Sequence, residues 1–571
     1  MTRSWPLLGE RDLAATLAWR GGAAISAAQF IGEALHLAER LPANGRPVNL
    51  CHDRYLFGLG LAAALLRGQT SLMPPNALPD TLRQIPASDR PPYAMVDDAA
   101  LDVGGLPRVV VTRPVDVAPA AGNPPIPAEL EAVCLLTSGS TGPPQPHVKR
   151  WGPLVANIRA EAERLAELMG LGRADLHGLT LLATVPAQHS YGFESSVLLA
   201  LLGGAMFDAG RPFYPADIAA ALQRLPQPRA LVTTPFHLKT LLLAGVDLPA
   251  VDLLLSATAP LSPQLAAEAE TRLHGRLVEI YGCTEAGQVA ARRTTEGETW
   301  TALGALHLWR EEHEGGERFM VAGGHVIEPT PLADVLVLES EHRFRLLGRA
   351  NDLIHVAGKR SSLAHLNFHL NRIEGVEDGA FWMPDEVTEG VVRPVAFVVA
   401  PTLNAKQIVH ALREHLESAF VPRHVVFVDA LPREGTGKLT AQALQAFAKR
   451  VLAEEEGRYD IAPDHPAFAG HFPGHPLLPG VVLLSLVMQT LQRRPPLQAR
   501  LGTTPRFDQV KFLAPVGPGA QVRVSLREQG SGVAFEVQRD TTVVARGQLS
   551  AGVAGGSAAG LEPGRPPEAS A

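Results

Sequence analysis

Leu135–Arg150, LLTSGSTGPPQPHVKR, constrains this chain more than any other stretch. An apolar run, Ala132–Leu136, leads into Thr137, Ser138, Gly139, Ser140, Thr141 and Gly142, and Pro143-Pro144 then break it. Small residues let backbone N–H groups converge and the hydroxyls add donors, so such a loop can wrap a polyphosphate. The other common nucleotide loop, GxxxxGK[ST], is excluded, because no Gly-Lys-Ser/Thr follows Gly142. Alone, six such residues read as a flexible turn. Residues further along the chain decide otherwise.

A chain of 571 residues exceeds what one core can serve, so three or more domains are expected. Hydrophobic residues at 46% against charged residues at 19% mark a packed globular protein. Lys+Arg 51 against Asp+Glu 58 gives net −7, which argues against nucleic-acid binding. Cys51, Cys134 and Cys283 are too few and too scattered for a disulfide framework or a zinc site, and read as reduced core thiols. Charges arrive at Glu10–Asp12 before any apolar signal-peptide core, and the longest apolar runs, such as Val197–Met206 and Val481–Val487, are too short to span a bilayer. A cytoplasmic enzyme without membrane attachment is the expectation.

Apolar spacing predicts a helix over Asp12–Leu41, a buried strand at Val48–Cys51 and a helix over Tyr55–Leu66 stopped by Pro74-Pro75. That alternation implies a doubly wound sheet. Pro107–Pro127 reads as connection and edge structure. After the loop comes an amphipathic helix, Trp151–Gly170, then three apolar strands that each deliver polar or aromatic residues. Leu181–Pro186 leads to His189, Tyr191 and Gly192; Ala230–Pro235 leads to Phe236 and His237; Val251–Ser256 leads to Ala257 and Thr258. Leu277–Gln288, LVEIYGCTEAGQ, carries Tyr281, Gly282, Thr284 and Glu285. Asp334, the segment Leu347–Ile354 with Arg349 and Asn351, and the run Leu431–Lys438 ending in Gly437-Lys438 complete the series.

TSGSTG followed by Pro, the Pro186-to-Gly192 segment, YGCTE and the terminal Gly-Lys, in this order, resemble the adenylate-forming superfamily, which includes acyl-CoA synthetases, aryl-acid ligases and luciferase. The resemblance implies that Thr137–Gly142, Lys149, Ala257, Thr258, Tyr281, Gly282, Thr284, Asp334, Arg349 and Lys438 bind ATP. Tyr281 would stack on adenine, Thr284 would bond phosphate, and Glu285 would hold Mg²⁺, a hard cation suited to carboxylate oxygen. Asp334 suits a ribose diol, and Arg349 offers bidentate contacts to ribose or phosphate. His189, Tyr191, Phe236, Ala257 and Gly282 would border the acid. Lys438, His189 and Glu285 are the implied catalytic set, with Lys438 bridging carboxylate and phosphate. Asn351 stands at the implied hinge, where rotation removes Lys438 and admits a thiol. One departure matters: the family's Pro-Lys-Gly is Pro144-Gln145-Pro146 here, so Lys149 supplies the nearest following positive charge.

Asp464–Gln489, DHPAFAGHFPGHPLLPGVVLLSLVMQ, and Phe507–Gly519, FDQVKFLAPVGPG, resemble hotdog acyl-carrier dehydratases. His471 then falls at the active-site histidine. The acid expected fourteen residues later falls on Ser485, so a positioned acid worth about 10²–10⁴-fold is missing. This implies acyl-pantetheine binding or homodimerisation rather than robust dehydration. The two modules together are similar to ligases of aryl polyene and xanthomonadin-type pigment clusters. That implies a hydroxybenzoate-like aromatic acid passed to the phosphopantetheine of an acyl carrier protein. Free coenzyme A as acceptor, and a bifunctional ligase–dehydratase, are the alternatives. The expected architecture is α/β throughout the front: an adenylation domain with doubly wound sheets over 1–348 and a small α+β mobile lobe over 349–450. An α+β hotdog domain over 455–553 and a disordered tail over 554–571, poor in residues to bury, complete it.

Overall fold

The computed structural model describes residues 3–85, 88–137, 145–313, 316–349, 353–356, 359–384, 393–433, 439–468, 476–502 and 504–552. It divides into two compact units, Met1–Gln442 and Ala443–Ala571. In the first, the helix expected over Asp12–Leu41 begins late. Strands β1 (Thr16–Arg20) and β2 (Ala23–Ser26) form an antiparallel hairpin before helix α1 (Ala27–Arg40). Gly21 and Gly22, at φ 59° and 82°, make the reversal that an unbroken helix would forbid. Ser26 then caps the helix, its hydroxyl accepting from Gln29 N at 3.1 Å.

The first sheet is built from β3 (Arg46–Asn49), β4 (Ser71–Met73), β5 (Pro92–Val96), β6 (Arg108–Val110), β7 (Glu131–Thr137) and β8 (Gln145–Arg150). Their order is β8-β7-β4-β3-β5-β6, parallel except for the β7–β8 pair. Thr137 faces Gln145 in that pair, so the strands on either side of the phosphate-type loop are held together at its base. Helix α2 (Arg54–Leu66) is buried along nearly its whole length, as an all-round apolar helix must be.

Helix α3 (Trp151–Met169) leads into the second sheet, formed from β9 (Thr180–Ala183), β10 (Met206–Asp208), β11 (Arg229–Thr233), β12 (Leu253–Ser256), β13 (Arg276–Cys283), β14 (Gly287–Arg292), β15 (Thr299–Ala302), β16 (Asp334–Ser340) and β17 (Arg343–Arg349). With β1 and β2 the order is β16-β17-β15-β14-β13-β12-β11-β9-β10-β1-β2. The middle strands β10, β9, β11, β12 and β13 are parallel. Alternation along them separates two cores. Leu181, Ala183, Val232, Leu253, Leu255 and Val278 pack in the large core with Phe30, Trp151 and Phe193. Leu182, Leu231, Leu254 and Leu277 pack instead with Leu222, Leu241 and Ala269, which lie on the helices Pro215–Arg224, Pro235–Leu243 and Pro263–Leu273. Apolar cover on both faces is what a parallel sheet requires.

The unit ends in a smaller α+β portion. Helix α4 (Leu363–Asn371) packs on the sheet β18 (Asp378–Trp382), β19 (Val395–Val399) and β20 (Val425–Phe427). In the second unit, β21 (Arg458–Asp460), helix α5 (Gly480–Gln492), β22 (Pro505–Phe512), β23 (Gln521–Gln529), β24 (Gly532–Arg539) and β25 (Thr542–Ala551) form a helix on an antiparallel sheet, in the order β21-β23-β24-β25-β22. Leu483, Val487 and Leu491, one face of α5, pack with Val524, Val533 and Phe535. Among the described residues no helix is long and apolar enough to cross a membrane. The tail read as disordered lies outside the described residues.

Candidate active site

Four parallel strands end side by side, with Ala183 opposite Val232, Thr233 opposite Ser256, and Ser256 opposite Glu279. Everything their C-terminal ends deliver therefore arrives at one edge of the sheet, where α/β proteins bind ligands. Beyond β9 comes half-buried His189, which opens the short turn Ser190–Gly192. Gly192 is required there, since a Cβ would meet Pro186 O at 2.0 Å. Tyr191 is half-buried, and burial beside Glu161 pushes its hydroxyl well above the usual phenol range. Beyond β11 comes Phe236, partly exposed and 5.8 Å from the ring of buried His237. His237 Nδ1 lies 3.2 Å from Thr184 Oγ1, and burial holds its imidazole below the usual range.

Beyond β12, Ala257 is buried, and Thr258 is exposed at φ 79°. Beyond β13, the chain turns through Thr284–Ala286 into β14. A Cβ on Gly282 would meet Gly287 O at 2.4 Å, so the glycine of YGCTE is a packing requirement. Tyr281 is buried against Trp300 and Phe344, with ring centroids 5.7 Å from each, and its hydroxyl donates to Asp334 Oδ2 at 2.7 Å. The two residues expected at adenine and ribose are thus joined directly. Thr284 is half-buried and Glu285 is exposed.

Lys149 reaches this turn. Its Nζ donates to Glu285 O at 2.6 Å, and His147 Nε2 lies 3.8 Å from Glu285 Oε1. Burial lowers the Lys149 ammonium, against which Glu194, Cys283 and Glu285 act. A single exposed carboxylate fits Mg²⁺, which keeps several waters and takes its remaining ligands from phosphates. Glu285 is the side chain that would hold the ion, and the ion would neutralise phosphate charge there.

Beneath the turn lie residues that periodicity gave no reason to single out. Phe193–Leu198 forms a π-helical turn, a local irregularity common at functional sites. It buries Glu194, which accepts from Ser190 Oγ at 3.2 Å and Asn157 Nδ2 at 3.3 Å. It also buries Ser195, whose Oγ donates to Glu161 Oε1 and accepts from Gln288 Nε2, both at 2.7 Å. Burial raises the Glu161 carboxyl to about 8. Arg54, fully buried, donates to Ala183 O and Val185 O and so fixes the strand end that precedes His189. Burial and the Lys149 charge push His325 down to about 4. Glu161 stands among Arg159, Glu163 and Arg164 and carried no sequence signal, and Glu194 carried only its place ahead of the apolar run Val197–Leu202.

Ser138–Gly142, Asn351, Lys438 and His471 lie outside the described residues, as do the side chains of Thr137 and Arg349. Ser485 is described, exposed on α5.

Residues 57–307 match the AMP-binding enzyme model, 370–438 the AMP-binding enzyme C-terminal domain and 451–548 the ApeI dehydratase model. A 4-coumarate–CoA ligase of Rhodobacter capsulatus is 31% identical over 315 residues, covering 54% of this chain and 75% of that protein. The FabZ 3-hydroxyacyl-[acyl-carrier-protein] dehydratase of Pelotomaculum thermopropionicum is 30% identical over 89 residues, covering 14% of this chain and 64% of that protein. ATP-bound MatB from Rhodopseudomonas palustris shares the fold, with TM-score 0.64 at 18% identity, over 77% of this chain and 97% of that one. The chain therefore belongs to the AMP-binding enzyme family, as an AMP-forming acid–thiol ligase carrying a C-terminal dehydratase-like hotdog unit.

Proposed function

We propose that this enzyme activates an aromatic, hydroxybenzoate-like acid with ATP and transfers it to the phosphopantetheine thiol of an acyl carrier protein. A carboxylate oxygen attacks the α-phosphorus of ATP and pyrophosphate leaves, giving the acyl adenylate. The thiol sulfur then attacks the acyl carbon, its proton is lost, and AMP leaves. The protein's share is alignment and charge neutralisation. In this reading His189, Tyr191, Phe236 and Ala257 border the acid, Tyr281 and Asp334 the nucleoside, and Glu285 the metal, while Thr137–Gly142, Arg349 and Lys438 take the phosphates and Asn351 serves as hinge. The carrying observation is the arrival of His189, Phe236, Ala257 and Tyr281–Glu285 at one edge of the parallel strands.

The named activity of the 4-coumarate–CoA ligase supports an aromatic acid, and the fused dehydratase-like unit supports a carrier-bound product. That pairing fits synthesis of aryl polyene or xanthomonadin-type pigments. Free coenzyme A is the second reading, favoured by the same relative's name. The hotdog unit would hold acyl-pantetheine or pair two chains. Pyrophosphate exchange over benzoates, cinnamates and fatty acids tests the first half-reaction, and thioester formation with holo-carrier protein against coenzyme A tests the second. Exchange confined to fatty acids overturns the aromatic assignment; thioester formed on coenzyme A alone overturns the carrier assignment.

A further inference from the structure

The chain has Pro144-Gln145-Pro146 where its family carries a lysine, yet His147 and Lys149 of the strand that holds Gln145 reach the Glu285 turn. Alternation places His147 and Lys149 on one face of β8. Both are half-buried, while Val148 and Arg150 are exposed. They converge on a single residue, Lys149 Nζ at 2.6 Å from Glu285 O and His147 Nε2 at 3.8 Å from Glu285 Oε1. The lysine's charge also acts on Glu194, a fully buried carboxylate tied to Ser190 and so to the turn that begins at His189. Glu194 lies against the end of the acidic turn as well, since a Cβ on Gly287 would come within 3.8 Å of Glu194 Oε2. A carboxylate so buried needs a cation or a proton.

We infer that Lys149 is a positioning residue, its ammonium serving both the Glu285 carbonyl and the buried Glu194 carboxylate. It fixes the Glu285 turn against the His189 turn and acts on the reaction through Glu285 rather than by touching a phosphate. Only the activity arm of the test rests on the ligase reading. The other arm reads the turn itself.

Cys283 ends β13 at that turn, its sulfur accepting from Ala286 N at 3.4 Å, while Cys51 and Cys134 are buried elsewhere and serve as internal references. The full-length protein is alkylated with iodoacetamide and the three cysteines are followed by peptide mapping. Lys149→Met is expected to speed Cys283 about tenfold by local opening, with Cys51 and Cys134 unchanged. Lys149→Arg is expected to stay near wild type. In pyrophosphate exchange, Lys149→Met is expected to raise the half-saturating Mg²⁺ concentration about tenfold. Adding Glu194→Gln removes the unpaired buried charge and should restore most of both properties. This double variant also serves if Lys149→Met alone does not fold. An unchanged Cys283 rate in Lys149→Met, or no recovery in the double variant, overturns the inference and leaves Lys149 as a direct phosphate contact. Absence of exchange with every acid in the wild type defeats the ligase reading alone, and the alkylation arm still decides the role of Lys149.

Discussion

Thr258 carries a β-branched side chain at φ 79°, in the left-handed region that such residues avoid. It follows buried Ala257 just beyond the end of β12. A non-glycine residue there costs about 1–3 kcal/mol. Thr258→Gly is expected to stabilise the protein by about 1 kcal/mol, after allowing for the entropy glycine loses on folding. Urea unfolding measures it, and a destabilised variant would mean that the hydroxyl has a structural partner. Glu161 makes a different prediction. Its Oε2 is buried without a partner and its carboxyl is raised to about 8, so the folded protein holds it as a neutral acid. The folded state then binds one more proton than the unfolded state between about pH 4.5 and 8. Its contribution is full below the lower value and is lost as pH rises through the upper one. Glu161→Gln should flatten the decline of melting temperature across that window and leave the variant relatively more stable at pH 8. A parallel decline in both proteins would show that Glu161 stays charged.

At the scale of elements, the legible segments were those with one clear period. Tyr55–Leu66, Trp151–Gly170 and the strand preceding each delivered residue appear close to where their spacing put them. The Asp12–Leu41 segment misled because Thr16–Arg20, with Leu17, Ala18 and Trp19 in a row, is too short to stand out beside a long helix, and the signal lay in Gly21-Gly22. The site's delivered residues were legible as matched segments, whereas its buried support was not. Glu161 becomes meaningful only once α3 and the π-helical turn bring it beside Ser195 and Gln288, and Glu194 only once they bring it beside Asn157, long-range meetings that no local period encodes. The His189 turn shows how tightly such an element is fixed. Gly192→Ala forces a methyl onto Pro186 O, at 2.0 Å in the present geometry. Overpacking of this kind costs about 1–3 kcal/mol. The turn must shift, so the variant is expected to raise KM for the acid more than KM for ATP. Equal changes in both would separate this turn from the acid pocket.

For the whole molecule, the question is why a ligase carries a second compact unit, Ala443–Ala571. Its match to the ApeI dehydratase model argues for chemistry, and Ser485 argues against it. Dehydration removes a proton from carbon and expels a hydroxyl group, and a lone imidazole at His471 would have to serve both. Ser485 is exposed on α5, whose core side is Leu483, Val487 and Leu491, so a longer acidic side chain can be accepted there without disturbing the packing. Wild-type protein is therefore expected to form little enoyl product from 3-hydroxyacyl-carrier thioesters. Ser485→Glu is expected to raise that rate by about 10²-fold, within the range of a positioned acid. His471→Ala in the same background should abolish the gain. The enoyl thioester is followed by mass spectrometry of the carrier protein in full-length enzyme, so the acid-activating half stays intact throughout. Rapid wild-type turnover that disappears in His471→Ala would make the second unit a working lyase with its acid elsewhere. No gain in Ser485→Glu would mean that the residue does not face His471, and the unit's role would then rest on holding the acyl chain or pairing two copies.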